Sequence, residues 1–467
     1  MIVMKFGGTS VGTGARIANV ARIVKGVAND DGPPVVVVSA MSGVTDSLRR
    51  AATTAEEGDA RTFLLLRDEL QLRHEQAIDD CVQDVEVARG LRAEVESLLN
   101  WFETLCQSIY TLGELTLRGQ DAVLGLGERL SARLVAAAMR DQGLDAQMVE
   151  ATEVIVTDDN FGRANPLLEE TTRKARERLL PLLREGTVPV VTGFIGATVE
   201  GTPTTLGRGS SDYSATFLGR CLSADEVWIW SDVDGVMTAD PRIVPEARTL
   251  PSISYGEVAE LSFFGAKVLH PRTIRPVAEM GIPMRVLNSL HPGHEGTLIT
   301  GKVSEGPLIK GITAIRDLCL ITVEGRGMQG VPGVAGRVFS AVARSDTSVL
   351  MIVQSSSEQH ICFVVRSQDM PAVVEEVEDE LELEIMRGDI EGVHTQDGVA
   401  ILAIVGAGML DQAGIASRVF NALAAREINI ISIAQGSSDY NLSLVVDRKD
   451  VDAGVRAIHK QFALDKI

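Results

Sequence analysis

The sequence predicts an α/β protein with a mostly parallel sheet, followed by two smaller α/β modules, and two observations predict it. Over residues 1 to 300, short β-branched apolar runs alternate with stretches of helical periodicity, the pattern of strands covered on both faces by helices. Past residue 300 the chain repeats itself. Gly325-Arg326-Gly327-Met328, Gly333, Arg337-Val338-Phe339, Gln354 and Ser356-Ser357-Glu358 recur at a constant offset as Gly406-Ala407-Gly408-Met409, Gly414, Arg418-Val419-Phe420, Gln435 and Ser437-Ser438-Asp439. Each copy reads as strand, glycine loop, helix, strand, polar hairpin and strand, and two such neighbours are expected to pack edge to edge in one sheet.

Composition bounds the partners. The 467 residues, 45% of them hydrophobic, suffice for about two to four domains with separate cores. Lys and Arg number 44 against 64 Asp and Glu, and the net charge of -20 disfavours nucleic acid and anionic membranes. An anionic substrate must then be held by a few local cations. Cys81, Cys106, Cys221, Cys319 and Cys362 are odd in number and widely spaced, without metal-type pairs, so buried free thiols in a reducing compartment are expected. The chain enters a strand at once, with no signal peptide and no apolar run of about 18 residues, which points to the cytoplasm.

Taken in order, the first element is Met1-Ile2-Val3-Met4-Lys5-Phe6, a strand that stops at Gly7-Gly8-Thr9-Ser10 before a helix over Ala15 to Val24. Such a loop can hold phosphate: glycines let backbone N–H groups close on oxyanions, the helix presents its positive end, and Lys5 adds a full charge. It is neither a Walker A loop nor a dinucleotide fingerprint. Val35 to Ala40 reads as a second buried strand, running into Met41-Ser42-Gly43-Val44-Thr45-Asp46. Residues 59 to 118 carry charge and Leu at helical spacing and read as a helical insertion, expected to be a lid or an interface. Gly125 to Ala132 opens a helix bearing Glu128, Val188 to Gly196 reads as strand and loop, and Val227 to Asp232 as another strand. Ligands of such sheets sit outside the carboxyl ends of the strands, so the loops at Gly7, Ser39, Gly193 and Ser231 are expected to converge. Leu206-Gly207-Arg208-Gly209-Ser210-Ser211-Asp212 then places a guanidinium beside a helix expected over Tyr213 to Cys221, a carboxylate- or phosphate-seeking pair of features; the plainer alternative has Ser211 or Asp212 merely capping that helix. Trp228 and Trp230 alternate on a strand and are assigned to core or interface. His291-Pro292-Gly293-His294 reads as a turn.

Four motifs together resemble the aspartate kinase (aspartokinase) family: Lys5-Phe6-Gly7-Gly8-Thr9-Ser10, the Gly207 to Ala215 loop, Trp230-Ser231-Asp232-Val233-Asp234-Gly235-Val236 with Asp240-Pro241-Arg242, and Phe264-Gly265-Ala266-Lys267-Val268-Leu269-His270-Pro271. The resemblance covers essentially the whole chain. It implies a three-layer α/β/α amino acid kinase fold over 1–300, with 59–118 as the insertion, and two ACT modules of βαββαβ type over 310–392 and 393–467. The resemblance leaves open a nesting of one module in the other, in which case the two share strands from the extreme C-terminus. It implies transfer of the γ-phosphoryl group of ATP, with Mg2+, to the β-carboxylate of L-aspartate, the first step toward lysine, threonine and methionine. By the same resemblance Lys5 contacts the transferring phosphate and Asp212 organises it; Ser39, Thr45, Glu128, Arg208 and Ser211 bind aspartate; Gly7, Gly8, Ser10, Ser231, Asp232, Arg242 and Lys267 contact the nucleotide; no side-chain metal cage is implied. Ser210, where glycine is common, and Met237, where tyrosine is common, depart from the pattern. No general base is needed, because a β-carboxylate of pKa ~3.9 is already ionised at neutral pH. The ACT modules imply feedback by an effector amino acid at Ile352, Gln354, Ile433 and Gln435, threonine favoured and lysine, alone or with threonine, the alternative, and a homodimer or larger assembly through these modules. A kinase acting on glutamate, and an amino-acid sensor with a dead kinase domain, are the competing readings. No room is expected for a downstream dehydrogenase domain.

Overall fold

The structure, a computed structural model, describes residues 1–207, 209–266, 268–301, 307–328, 331–354, 359–409, 412–435 and 440–467. The chain divides into two compact units. The first comprises Met1–Val236, Pro251–Tyr255 and Val268–Val303, the second Met237–Leu250, Gly256–Lys267 and Ser304–Ile467.

In the first unit the strands are β1 (Ile2–Phe6), β2 (Val35–Val38), β3 (Ala146–Val149), β4 (Val156–Thr157), β5 (Val188–Thr192), β6 (Ile195–Thr198), β7 (Pro203–Thr205), β8 (Glu226–Ser231), β9 (Ser252–Ser254), β10 (Met284–Asn288) and β11 (Thr297–Thr300). Eight of them form one sheet in the order β3-β5-β2-β1-β8-β10-β11-β9. All neighbours run parallel except β10 and β11. The four consecutive valines of β2 are all buried, as a strand covered on both faces requires. β4, β6 and β7 make a small second sheet.

Of helices α1 (Gly14–Asp31), α2 (Val44–Glu56), α3 (Ala60–Cys81), α4 (Val85–Leu112), α5 (Leu117–Leu124) and α6 (Leu126–Asp141), α6 packs directly on β2, β3 and β5, and the other five pack against it. The segment expected to be a lid or an interface does not stand off as a lid. Phe63, Leu66, Leu70 and Ile78 of α3, with Leu91, Val95, Leu99 and Phe102 of α4, recur at helical spacing and share one core cluster with Met4, Phe6 and Val36. An apolar stripe that continuous has to be buried, and here the wall of the first unit buries it. No helix among the described residues is long and apolar enough to cross a membrane.

The second unit is built on β12 (Gly311–Glu324), β13 (Met351–Gln354), β14 (His360–Arg366), β15 (Gly392–Val405), β16 (Ile430–Ala434) and β17 (Asn441–Asp447), in the sheet order β13-β14-β12-β15-β17-β16. The two long central strands serve both repeats. Leu318 to Glu324 of β12 pair with β14, whereas Val399 to Val405 of β15 pair with β17; β12 and β15 pair with each other along their length, with register shifts between Ile315 and Leu320. The strands shared between the repeats are therefore these central ones. The extreme C-terminus, the open alternative for shared strands, is helical over Val451–Gln461 and Leu464–Lys466. Cys319, Ile321 and Val323 lie in the core of the first repeat, and Ile312, Ala400, Leu402 and Ile404 in that of the second, which also takes in Ala239, Val244 and Ala247. All five cysteines are free thiols, four of them buried.

Candidate active site

The site forms where parallel strands end side by side. The Gly7 N–H donates to the Trp230 carbonyl at 3.1 Å, Ser39 N–H to Phe6 at 3.1 Å, and Gly193 N–H to Val38 at 2.9 Å. These bonds bring the ends of β8, β1, β2 and β5 together, so the loops at Gly7, Ser39, Gly193 and Ser231 converge as expected. The Gly8 loop lies against the second one: Ser42 N–H donates to Gly8 at 3.1 Å, and any Cβ on Gly8 would stand 2.9 Å from the Ala40 carbonyl oxygen. Only glycine fits there.

Lys5 sits on β1 between Val37 and Ile229, only 8% exposed, and its Nζ lies 2.6 Å from Asp212 Oδ1. The helix carrying Asp212 spans Ser210–Leu222 and starts earlier than expected, with Gly209 at its N-cap in the left-handed region (φ 69°) and no side-chain cap. Asp212 therefore faces Lys5 instead of capping the helix. Glu128 comes from the first turn of α6, which approaches the Ser39 loop so closely that a Cβ on Gly127 would meet Ala40 Cβ at 2.8 Å. Its Oε1 accepts the Ala40 N–H at 3.1 Å, and Ser131 Oγ, one turn on, donates to the Ser39 carbonyl at 2.6 Å. Glu128 Oε2 is buried without a hydrogen-bond partner among the described residues. Burial pushes the carboxyl up to about 8, opposed by the Ala40 N–H and the charge of Lys5. A buried carboxyl with one free oxygen becomes, once ionised, an acceptor for a cation.

The remaining candidates distribute as follows. Ser39 and Thr45 are half-buried on the loop after β2 and on the first turn of α2. Ser211 backs on Gly193, whose Cβ, if present, would lie 2.9 Å from that of Ser211. Ser10 is 1% exposed, its hydroxyl 2.8 Å from that of Ser289, so it ties the loop down. Ser231 Oγ donates to Asp232 Oδ1 at 3.1 Å at the end of β8. Arg242 belongs to the second unit and pairs with Asp240 at 2.6 Å. Arg208 and Lys267 lie outside the described residues. Ser210, the departure from the usual glycine, is buried and donates its hydroxyl to the Gly207 carbonyl; Met237 packs against the core of the second repeat. Ile352 with Gln354 and Ile433 with Gln435 fall on or just past the edge strands β13 and β16, all four exposed. Trp230 is a core residue stacked on Phe6 at 5.8 Å, and His291 to His294 is a turn closed by a 2.9 Å backbone bond.

Sequence reasoning missed Arg272. Its guanidinium lies 5.1 Å from the Tyr213 ring centroid and donates to the Leu206 carbonyl and to Asn165 Oδ1, bracing the Gly207 loop. No spacing rule joins positions 165, 206, 213 and 272, and only the adjoining Leu269-His270-Pro271 motif hinted at it.

The parallel sheet thus gathers at its strand ends a lysine, an aspartate and a buried glutamate beside a glycine loop. Residues 1–288 match the amino acid kinase family, and residues 321–381 and 402–462 match the ACT domain. The chain is 36% identical to the bifunctional aspartokinase/homoserine dehydrogenase 1, chloroplastic, of Arabidopsis thaliana over 99% of its own length and 51% of that protein, so it spans about half the length of such relatives. With aspartokinase 1, chloroplastic, of the same plant it shares 33% identity over 98% of this chain and 80% of that one. E. coli aspartokinase III in complex with aspartate and ADP (R-state) matches with TM-score 0.84 at 30% identity over 99% and 100% of the two chains. The same enzyme with lysine and aspartate (T-state) matches with TM-score 0.80 at 31%, over 99% of each. The chain belongs to the aspartokinases of the amino acid kinase family, with the three-layer α/β/α kinase fold followed by ACT modules.

Proposed function

We propose that the protein transfers the γ-phosphoryl group of ATP to the β-carboxylate of L-aspartate. The observation that carries this reading is the trio of Lys5, Asp212 and the buried, half-satisfied Glu128 at one set of strand ends. Glu128 Oε2 suits the α-ammonium of an amino acid, and Arg208 a carboxylate. The nucleophile arrives ionised, so the protein's work is to neutralise charge while the phosphoryl passes in line. Lys5 holds a full positive charge at that point, with Asp212 fixing its ammonium. Among the described residues no three His, Cys, Asp or Glu side chains are grouped to hold a metal; Asp212 and Asp232 are the residues that would help hold a Mg2+ carried mainly by the phosphates, and the ion would supply positive charge there. Gly7, Gly8, Ser10, Ser231 and Asp232 are the nucleotide contacts in this reading, and Ser39, Thr45 and Ser211 join Glu128 and Arg208 around aspartate. The catalytic segment is 1–300, and the ACT modules 310–392 and 393–467. Trapping the acyl phosphate with hydroxylamine across aspartate, glutamate and no substrate tests it: hydroxamate with glutamate but not aspartate, or with neither, refutes the assignment.

Feedback through the ACT modules belongs to the same reading. Gln354 and Gln435 recur at equivalent positions beside Ile352 and Ile433, and an amide can serve both the carboxylate and the hydroxyl of threonine. Lysine is the second reading, favoured by the lysine complex of E. coli aspartokinase III. Inhibition requires differential binding to two states, typically about 5- to 150-fold. Titrating threonine, lysine and both against wild type, Gln354→Ala and Gln435→Ala separates them; inhibition by lysine alone rejects threonine, and unchanged inhibition in both variants rejects the glutamines.

A further inference from the structure

Asp121, on α5, is 1% exposed and makes its hydrogen bonds to two segments remote in sequence. Its Oδ2 accepts the Gly162 N–H at 2.9 Å and the Thr205 N–H at 3.0 Å, and its Oδ1 accepts the Thr205 hydroxyl at 2.5 Å. All three donors are neutral, and among the described residues no cation pairs with it. Burial raises its pKa, against the pull of these three donors. A carboxylate in such a place is costly to bury, and an apolar residue would serve packing better. What a carboxylate offers here is geometry, because one oxygen takes two backbone donors and fixes one segment against the other.

The segments are the 158–166 loop and the stem Pro203–Thr205, which leads through Leu206 and Gly207 to the helix carrying Ser211 and Asp212. Ala164 N–H donates to the Thr205 carbonyl at 2.9 Å, and Leu206 N–H to Phe194 at 2.9 Å. Gly207 turns in the left-handed region (φ 86°), with Arg163 Cγ 3.6 Å from where its Cβ would stand. The stem is thus gripped two residues before the turn, and Asp121 is the charged member of the grip.

We propose that Asp121 is a positioning residue for the carboxylate substrate: acting through Thr205 and Gly162, it sets where the Gly207 turn and the first turn of the following helix meet that substrate. The proposal rests on the aspartate kinase reading above. It places the larger effect on aspartate, because the nucleotide contacts proposed at Gly7, Gly8, Ser231 and Asp232 stand on other loops.

The test uses the full chain. In D121N one oxygen is left to accept: it keeps the two backbone N–H donors without the charge of a carboxylate, and the Thr205 hydroxyl meets an amide NH2 in place of its acceptor, so the aspartate KM rises about threefold or more while the ATP KM stays within about twofold. T205V deletes only the hydroxyl bond and raises the aspartate KM about threefold; T205S keeps the hydroxyl and restores the wild-type value. A soluble D121N with unchanged aspartate KM, an equal rise in both KM values, or a T205S indistinguishable from T205V overturns the proposal. If D121N does not fold, the T205V and T205S pair decides. Wild type lacking aspartate turnover sinks the functional reading instead, and the variants are then compared on whichever carboxylate it phosphorylates.

Discussion

Glu128 carries the clearest pH signature at the residue scale. With its carboxyl pushed up to about 8 it is protonated at pH 7, and an arriving ammonium requires the carboxylate, so a proton leaves on binding. The aspartate KM is therefore predicted to fall as pH rises from about 6.5 toward 8, by up to about tenfold per unit, and Glu128→Gln to lose this dependence; a flat wild-type profile of KM against pH contradicts it. Lys5→Ala is expected to slow kcat by roughly two to three orders of magnitude, since a single well-placed donor contributes about 3–4 kcal/mol. A decrease under about fivefold would remove Lys5 from the chemistry. His74 acts on stability alone. It is fully buried in α3, its Nδ1 2.6 Å from the Leu70 carbonyl and its Nε2 without a partner among the described residues, and burial lowers its pKa to about 4. Above about 6.5 both folded and unfolded forms are neutral; below it the unfolded chain takes a proton that the native one refuses. Stability is then lost between about 6.5 and 4, by about 3 kcal/mol, and urea midpoints across that range should flatten in His74→Met. Lys5, Glu128 and Asp212 were legible because motifs flag them, although the pairing of Lys5 with Asp212 was not. His74 was invisible, since a lone histidine on a helix carries no mark of what packs around it.

Among the elements, α1 and α3 approach at Gly14 with no room there for a further side chain. A Cβ on Gly14, the first residue of α1, would stand 2.4 Å from Asp80 Cβ and 2.5 Å from the Ala77 carbonyl oxygen. Gly14→Ala should force these helices apart at about 1–3 kcal/mol, read as a lower urea midpoint at unchanged slope; an unchanged midpoint would mean that α3 yields freely. The same crossing ties the insertion to the loop after β1, because Arg73 of α3 donates to the Gly12 carbonyl at 3.3 Å. Helical periodicity revealed that residues 59 to 118 are helical. It could not tell a lid from a wall, because an apolar stripe states that a partner exists without naming it. The helix at Ser210 was placed late for a related reason: Ser-Ser-Asp is cap chemistry, and the left-handed Gly209 took the cap position.

The plan of the whole molecule was legible in outline, from alternating strands and helices and from the repeat, but not in its crossings. Residues 237–250 and 256–267 fold with the second unit although they interrupt the first in sequence. Thr238 Oγ1, 2.9 Å from His459 Nε2, together with Ala239, Val244 and Ala247, holds that excursion in the core of the second repeat. Contacts 221 residues apart leave no periodic trace. A chain cut after residue 300 would orphan these residues, so its loss of mass in solution would say nothing of assembly, and the test has to keep the full chain. β13 and β16 are the edges of the six-stranded sheet, and they leave Ile352 at 52% and Ile433 at 42% exposure. Edge strands bearing large exposed apolar side chains are what a second copy covers in a symmetric pair. The double variant Ile352→Asp with Ile433→Asp buries no charge in the isolated chain, so its thermal transition should change little, while a buried carboxylate at the contact should break it. Light scattering of the full-length wild type is expected to show at least two copies, and of the double variant one. A variant retaining the wild-type mass would place the contact away from these edges.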